Sequence, residues 1–579
     1  MSADASRPEV TDPDAGACER ADMLAEQLLS PDEGEPLEES GEEAVCVPAS
    51  SRSGRFGGKG FGLLASIALT TNNISGAGML EFPQMFQRAG LLPSLLSLCL
   101  VTPVHPDAVT RGSRGVYVPR AQVCVVATLS ATTLADTVAR IPRNRDFRRR
   151  VEFSDIFEHY IGRRTAMLTQ AVVFLNLLSQ NLAAIVATAQ MFDSFAGAFW
   201  PGASVALRLS PAPVALVRWD AASHCHPSKS FKSETYHKPE GASALCVPFA
   251  SEGQDALLIS AGYVACLALF APLGLLTLEE NMLQQNFSFV ALLLLVTQFV
   301  FAFCSTGLRA GSLPWIGEHW IDTVGVVIFN FAFCVTVPSW LNEKAPGVSV
   351  NRVFWISTVL STLLYTSVGV LGALAFADVP ENILSLLVSE QVGLTTRLCG
   401  ILFGVLIIGL GVPIFCVIMR YNLVNGGFCS EPWAHVWSSV LPWGMAWTLY
   451  QGSVMLKLLD YSGLVLNGFI DFVAPGVVTL ISLGAAQRIA CCWRGFPTPS
   501  SSANSATYTS AGVMVDPTKG SSSATTHGDS LQPVGHRVAC TFIKPFPAAL
   551  RPFYVEIVGG MVAFLLVVLP VAVWLQAND

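Results

Sequence analysis

The sequence predicts an all-α polytopic membrane protein of about 11 transmembrane helices, and three observations carry that expectation. The 579-residue chain is 52% hydrophobic but only 13% Asp, Glu, Lys and Arg, about half the charged share of ordinary soluble domains. Apolar stretches of the length a bilayer crossing needs, roughly 20 residues, recur through the chain. Basic residues gather on alternate connections between them, as the positive-inside rule requires.

Residues 1–50 carry 14 acids and two bases, a charge of −12, against +4 for the remainder. Rich in Glu, Asp, Pro and Ser, residues 1–55 have no sustained apolar face and are expected to form a disordered acidic tail. No basic start followed by an apolar stretch lies near Met1, so no signal peptide is expected. The eleven candidate spans lie near 61–89, 92–138 (interrupted), 165–192, 256–278, 286–308, 321–341, 352–377, 396–419, 434–456, 461–485 and 554–576. With the N-terminus in the cytoplasm, the inside connections hold 20 bases and the short outside connections hold four. That orientation puts the C-terminus outside. A nucleic-acid partner is excluded for want of a basic stripe. A small disulfide scaffold is excluded because 15 Cys are sparse over 579 residues, and neither a CxxC nor a Cys/His zinc spacing appears.

Three stretches interrupt the transmembrane domain, 56–579. Residues 102–121 (TPVHPDAVTRGSRGVYVPRA) put three Pro, three Arg and a His where a span should continue. Either the segment loops out and the span re-forms from 92–101 and 123–138, or it is translated non-coding material, because lipid does not tolerate such polarity. Residues 201–252 form a long polar outside loop, and 495–535 a Ser/Thr-rich cytoplasmic linker. In the outer loop, His224, Cys225, His226 and His237 lack metal-site spacing, while Cys225 and Cys246 could pair.

The chemistry concentrates in TNNISGAGMLEFPQMFQRAGLLP, residues 71–93. Gly76, Ala77 and Gly78 follow Asn73 and Ser75 inside the first span, and Pro83 comes shortly after. Small residues let a helix break, and the exposed half-helix N-terminus suits a carboxylate. A GxG packing contact is the alternative. The sixth span repeats the interruption, with Asn330, Thr336 and Pro338 among Phe329, Phe331 and Phe333. Broken helices at matching places in two five-span halves point to a transporter site.

These residues also resemble a family. NNISGAGMLEFPQMFQRAGLLP looks like the first helix of the amino acid/auxin permease family, within the amino acid–polyamine–organocation superfamily. PLGLLTLEEN (272–281), FNFAFCVTVPSWLNEKAPGVSVN (329–351), VPIFCVIMRYNL (412–423), PWGMAWTLYQGS (442–453) and GLVLNGFIDFVAPG (463–476) extend the resemblance. It implies a five-plus-five inverted repeat with helices 1 and 6 broken, and amino acid carriage driven by an ion gradient. Gly76, Ala77 and Gly78 would offer amides to the substrate carboxylate, Asn73 and Ser75 would brace the break, and Phe331 and Phe333 would shape the side-chain pocket. The superfamily's eighth helix commonly supplies hydroxyls to sodium, yet residues 397–419 hold no Ser or Thr, with Gly409 and Gly411 where hydroxyls would stand. A proton is therefore the expected coupling ion, with Glu81 as a candidate carrier. No cofactor is expected. The partners expected are an amino acid and the bilayer of a plasma or vacuolar/lysosomal membrane. A non-transporting amino acid sensor would need the same pocket. A membrane enzyme would need nucleophile, base or metal residues gathered at one depth, and the sequence offers no such set.

Overall fold

A computed structural model describes residues 59–99, 123–142, 144–200, 202–210, 213–219, 248–249, 256–318, 322–380, 383–388, 392–450, 463–495, 543, 545–546 and 550–576. The acidic tail, residues 102–121, the outer-loop residues His224, Cys225, His226, His237 and Cys246, and residues 496–535 lie outside these.

Helix dominates the described residues. Among the described residues, seven helices are long and apolar enough to cross a membrane: Arg163–Gly197, Met282–Thr306, Gly325–Glu343, Val350–Ala375, Leu394–Asn425, Val465–Gly484 and Arg551–Val571. Leu63–Ile74, Cys124–Ala139 and Ala261–Gly274 are shorter apolar helices. The chain is a membrane protein, and its surface agrees. The exposed side of Met282–Thr306 carries Leu283, Phe287, Val290, Leu294 and Phe301. An apolar stripe of that length suits lipid and not water.

The chain begins with α1 (Leu63–Ile74), a non-helical Ser75–Gly76 step, a 3-10 turn (Ala77–Glu81) and α2 (Phe82–Ala89). Pro83 stands in the first turn of α2, where its missing N–H costs nothing. Gly90 stops that helix at φ 90, a conformation other residues adopt only under strain. Two pieces follow, α3 (Leu91–Cys99) and α4 (Val123–Ala139). They meet end to end, since Cys124 Sγ donates to the Leu98 carbonyl at 2.6 Å. Their nine and 17 residues together make one crossing length.

After α5 (Phe153–Tyr160) comes α6 (Arg163–Phe199), 37 residues long. The sequence treats the next stretch as a polar loop, but part of it is a small antiparallel sheet. Its strands β1 (Ser204–Ser210), β2 (Ala215–Trp219) and β3 (Leu257–Ser260) lie in the order β2-β1-β3. Burial alternates along β2, where Leu216 and Arg218 are exposed between Ala215, Val217 and Trp219, the period of a half-covered strand. Trp219 closes over α6 at Gly197, where a Cβ would meet its ring at 2.6 Å.

Ser260 caps α7 (Ala261–Gly274), its Oγ accepting from the Tyr263 amide at 3.0 Å. Then follow α8 (Met282–Thr306), α9 (Asp322–Asn330), a 3-10 turn (Cys334–Thr336), α10 (Val337–Glu343) and α11 (Val350–Ala375). The remainder comprises α12 (Leu384–Leu387), α13 (Leu394–Leu402), a π turn (Phe403–Ile408), α14 (Gly411–Asn425), α15 (Glu431–His435), a second π turn (Val436–Val440), α16 (Leu441–Thr448), a third (Gly463–Val473), α17 (Ala474–Gly495) and α18 (Tyr554–Gln576).

Glu152, ahead of α5, ties three elements together. Its Oε2 accepts from Ser339 Oγ at 2.6 Å, and its Oε1 from Asn342 and Asn425 Nδ2 at 2.8 and 3.0 Å. Burial pushes this carboxyl up to about 7 against the Ser339 bond, and the neighbouring Asp155 charge adds to the rise. A carboxyl with a higher pKa folded than unfolded favours the fold below its unfolded value, near 4.5, and that contribution is lost as pH climbs through about 7. The thermal midpoint of the purified protein is thus expected to fall between about pH 5 and about pH 8, and Glu152→Gln to flatten that slope. An equal slope in the variant counts against the assignment. A second expectation concerns residues 102–121. Because α3 and α4 already meet, deleting that segment should leave a chain that folds at least as well. Loss of expression on deletion, with the full chain well expressed, would show the segment to be structural.

Candidate functional site

Both expected interruptions are present, and they lie against each other. In the first, the Gly76 amide turns back to the Ile74 carbonyl at 2.9 Å and the Met79 amide to the Gly76 carbonyl at 3.3 Å. In the second, α9 ends at Asn330 and the chain resumes at Cys334. Contacts between the two are reciprocal. Asn73, before the first break, donates to Thr336 Oγ1, after the second, at 2.9 Å. Gly78, after the first break, faces Asn330, before the second, so closely that a Cβ would overlap the Asn330 amide. The two chains therefore cross antiparallel at their breaks.

Tyr365 on α11 holds the freed carbonyls. Its hydroxyl donates to the Ile74 carbonyl and also lies 3.5 Å from the Asn330 carbonyl. Phe82 stacks on its ring at 4.4 Å and Phe331 meets it edge-on at 5.4 Å. Ser75 Oγ pairs with Ser361 Oγ at 3.2 Å on the same helix. From the other side, Asp471 Oδ1 accepts the Val335 amide at 2.9 Å.

A cavity of about 110 Å³ opens at the crossing. Roughly 10–15 Å³ of such space holds one water, so it admits a ligand of several heavy atoms. Gly76 and Gly78 line it, with the polar side chains of Asn72, Asn73, Gln180, Gln285, Ser288 and Asn330. Phe329, Phe415 and Ile408 are among the apolar lining groups, and none of the lining residues is Asp, Glu, Lys or Arg. Asn72 Nδ2 donates to Gln285 Oε1 at 3.0 Å, and Gln285 Nε2 to the Leu410 carbonyl at 3.1 Å. Polar groups already bound to protein hold a ligand in place without reorganising.

The expected site residues divide. Asn73, Gly76 and Gly78 line the cavity, while Ser75 braces the break from behind. The Gly76 amide is spent on Ile74. The amides at the start of the 3-10 turn, Ala77 and Gly78, are the ones without an acceptor inside it. Phe331 and Phe333 point elsewhere, Phe331 against Tyr365 and Phe333 against Phe354 at 5.7 Å. Phe329 and Phe415 stand at the cavity instead. Glu81 is half-buried at the end of the 3-10 turn and does not line the cavity. Tyr365, Gln180, Gln285 and Asp471 were not singled out by the sequence. Their one signal is a polar side chain within an apolar helix.

No protein-family model matches the chain, and no curated protein matches it.

The two glycines are expected to behave differently. A Cβ on Gly76 meets nothing within 4 Å, whereas one on Gly78 collides with Asn330. Gly78→Ala should destabilise by about 1–3 kcal/mol, the usual cost of overpacking, and Gly76→Ala should leave the thermal midpoint nearly unchanged. Equal melting of the two variants would contradict this packing.

Proposed function

We propose that the chain carries amino acids across a membrane by alternating access, with the architecture of the amino acid/auxin permease family: eleven crossing helices, a five-plus-five inverted repeat and a cytoplasmic N-terminus. One observation carries the reading. Two broken helices cross antiparallel, with reciprocal contacts, at a small polar cavity lined by uncharged residues. Reciprocity is what an inverted repeat produces at its axis, and discontinuous helices facing a shared site are the hallmark of secondary carriers.

A cavity without charged groups suits a ligand that brings opposite charges of its own. An amino acid carboxylate would sit at the Ala77 and Gly78 amides, where the half-helix dipole is positive. The ammonium would face the carbonyl ends of α1 and α9, where the dipoles are negative. Asn73 would hold the two breaks in register through Thr336. Phe329, Phe415 and Ile408 would bound the side chain. Selectivity among amino acids would come from that apolar wall, where one methylene is worth about 1–3 kcal/mol.

The coupling ion in this reading is the proton. The helix that would supply sodium-binding hydroxyls has none between 397 and 419. Its freed backbone carbonyls already accept bonds, Leu406 from Ser288 Oγ at 3.2 Å and Leu410 from Gln285.

Uptake of single labelled amino acids by proteoliposomes tests this. Uptake should rise as outside pH falls from about 7.5 to about 5.5, the range of perturbed carboxyl titration, with no response to sodium. Collapse on replacing sodium by choline at fixed pH would overturn the proton reading. Binding without flux would mark a sensor with the same fold.

A further inference from the structure

Carboxylates buried in this protein are mostly saturated. Asp136 accepts from the Ile543 amide on one oxygen and from Arg140 and Tyr554 on the other. Asp193 accepts from the Gly262 amide on Oδ1 and from Ser260 and Tyr450 on Oδ2. Both oxygens of Glu152 are likewise engaged. These are structural ties. Asp471 differs. It is fully buried, its Oδ1 accepts from the Val335 amide, and its Oδ2 makes no well-formed hydrogen bond, the Cys334 amide and the Asn176 side chain being the donors beside the carboxylate.

Two further polar atoms beside it are in the same condition. Asn467, one turn earlier on the same π segment, has an unpartnered Nδ2, and the side-chain amide of Asn176 on α6 stands beside the carboxylate as a donor without a well-formed bond to it. Both amides lead to the cavity. Gln180 Nε2 donates to Asn467 Oδ1 at 2.7 Å and lies 3.4 Å from Asn176 Oδ1, and Gln180 lines the cavity. A strip of polar side chains thus runs from the cavity, through Gln180, Asn176 and Asn467, to a carboxylate with one oxygen lacking a well-formed bond. Around its segment, Gly463–Val473, pack α4, α6, α9, α17, α18 and the Cys334–Thr336 turn. The titratable group facing the carboxylate from them is the Cys334 thiol.

We propose that Asp471 is the proton acceptor inside the membrane, and that protonation of Oδ2 couples the proton gradient to movement of the second broken helix. The coupling half of this rests on the carrier reading above. Intramembrane carboxylates facing the bundle interior are proton-relay candidates by default, and here the geometry supplies the consequence. The carboxylate takes one proton on Oδ2 from one side and returns it to the other. The Val335 bond on Oδ1 need not break in either state. Charge-assisted hydrogen bonds are roughly twice as strong as neutral ones, so the protonated acid holds Val335 less firmly. Val335 belongs to the turn that Asn73 fastens to α1 through Thr336. Protonation therefore loosens the turn at which both breaks are joined.

The test uses Asp471→Asn, whose side-chain oxygen can still accept from Val335, and Asp471→Glu, which keeps a titrating acid. In proteoliposomes, the wild type should concentrate its amino acid on an imposed pH gradient. The Asn variant should lose that accumulation while still exchanging labelled for unlabelled substrate, and the Glu variant should accumulate with a displaced pH profile. Infrared difference spectra on acidification should show a protonated-carboxyl band in the wild type, absent from Asp471→Asn and moved in Asp471→Glu. An Asn variant that still concentrates substrate with the wild-type pH profile, or that keeps the band, overturns the proposal. If the wild type moves no amino acid yet its band depends on Asp471, the carrier reading fails and the proton site stands.

Discussion

A peptide group released where a helix breaks inside an apolar surrounding must find another partner, because neither lipid nor packed apolar side chains can supply one. Two breaks here lie in contact, and the side chains around them meet that requirement jointly. Tyr365 serves carbonyls on both sides, Asp471 takes an amide of the second, and Asn73 joins the second to the first through Thr336. Each partner comes from a different helix, so the breaks are where four segments of the bundle are held in register. The cavity follows from this, since chain that is not helical at the crossing leaves space that helices would fill.

The same constraint explains why the lining is polar but uncharged. Asn72, Asn73, Gln285 and Asn330 each spend at least one hydrogen bond on protein. Groups anchored in this way present their remaining valences in fixed directions. A lone charge in the lining would need a counter-ion of its own, and an uncompensated charge in low dielectric is costly. In the proposed carrier, dipoles at half-helix ends would recognise a zwitterion without that penalty.

How much of this was visible in the sequence depends on how local its cause is. The first break is local: Gly76, Ala77 and Gly78 follow Asn73 and Ser75, and a helix with that content has both the freedom to open and the groups to satisfy itself. The split second span was equally legible, because apolar flanks of one crossing length surround a segment that hydrocarbon would reject. The sheet is not legible, because ALVRW is apolar at four of five positions and the polar residues around both strands set the character of the whole loop. Phe331 and Phe333 turn away from the cavity for a physical reason. Facing follows a 3.6-residue period only while the chain is helical, and the chain leaves that period after Asn330. Asp471 was not selected because nothing near it in sequence marks it. Its partner is the amide of Val335, 136 residues away.

Separation between cavity and carboxylate matters for how an ion could drive a zwitterion. A carboxylate within the cavity would compete with the substrate's own carboxylate for the Ala77 and Gly78 amides, so proton and substrate would be tied to one spot. Asp471 acts on the second break, whereas those amides belong to the first, and the Asn73–Thr336 bond joins the two. Sites linked through one shared element influence each other equally in both directions, typically by about 1–3 kcal/mol. If protonation at Asp471 favours the arrangement that binds substrate, bound substrate must raise proton affinity at Asp471 by the same factor. In the proposed carrier neither ligand would then need to touch the other, and the side chain that binds the proton would remain the same whichever amino acid the apolar wall selected.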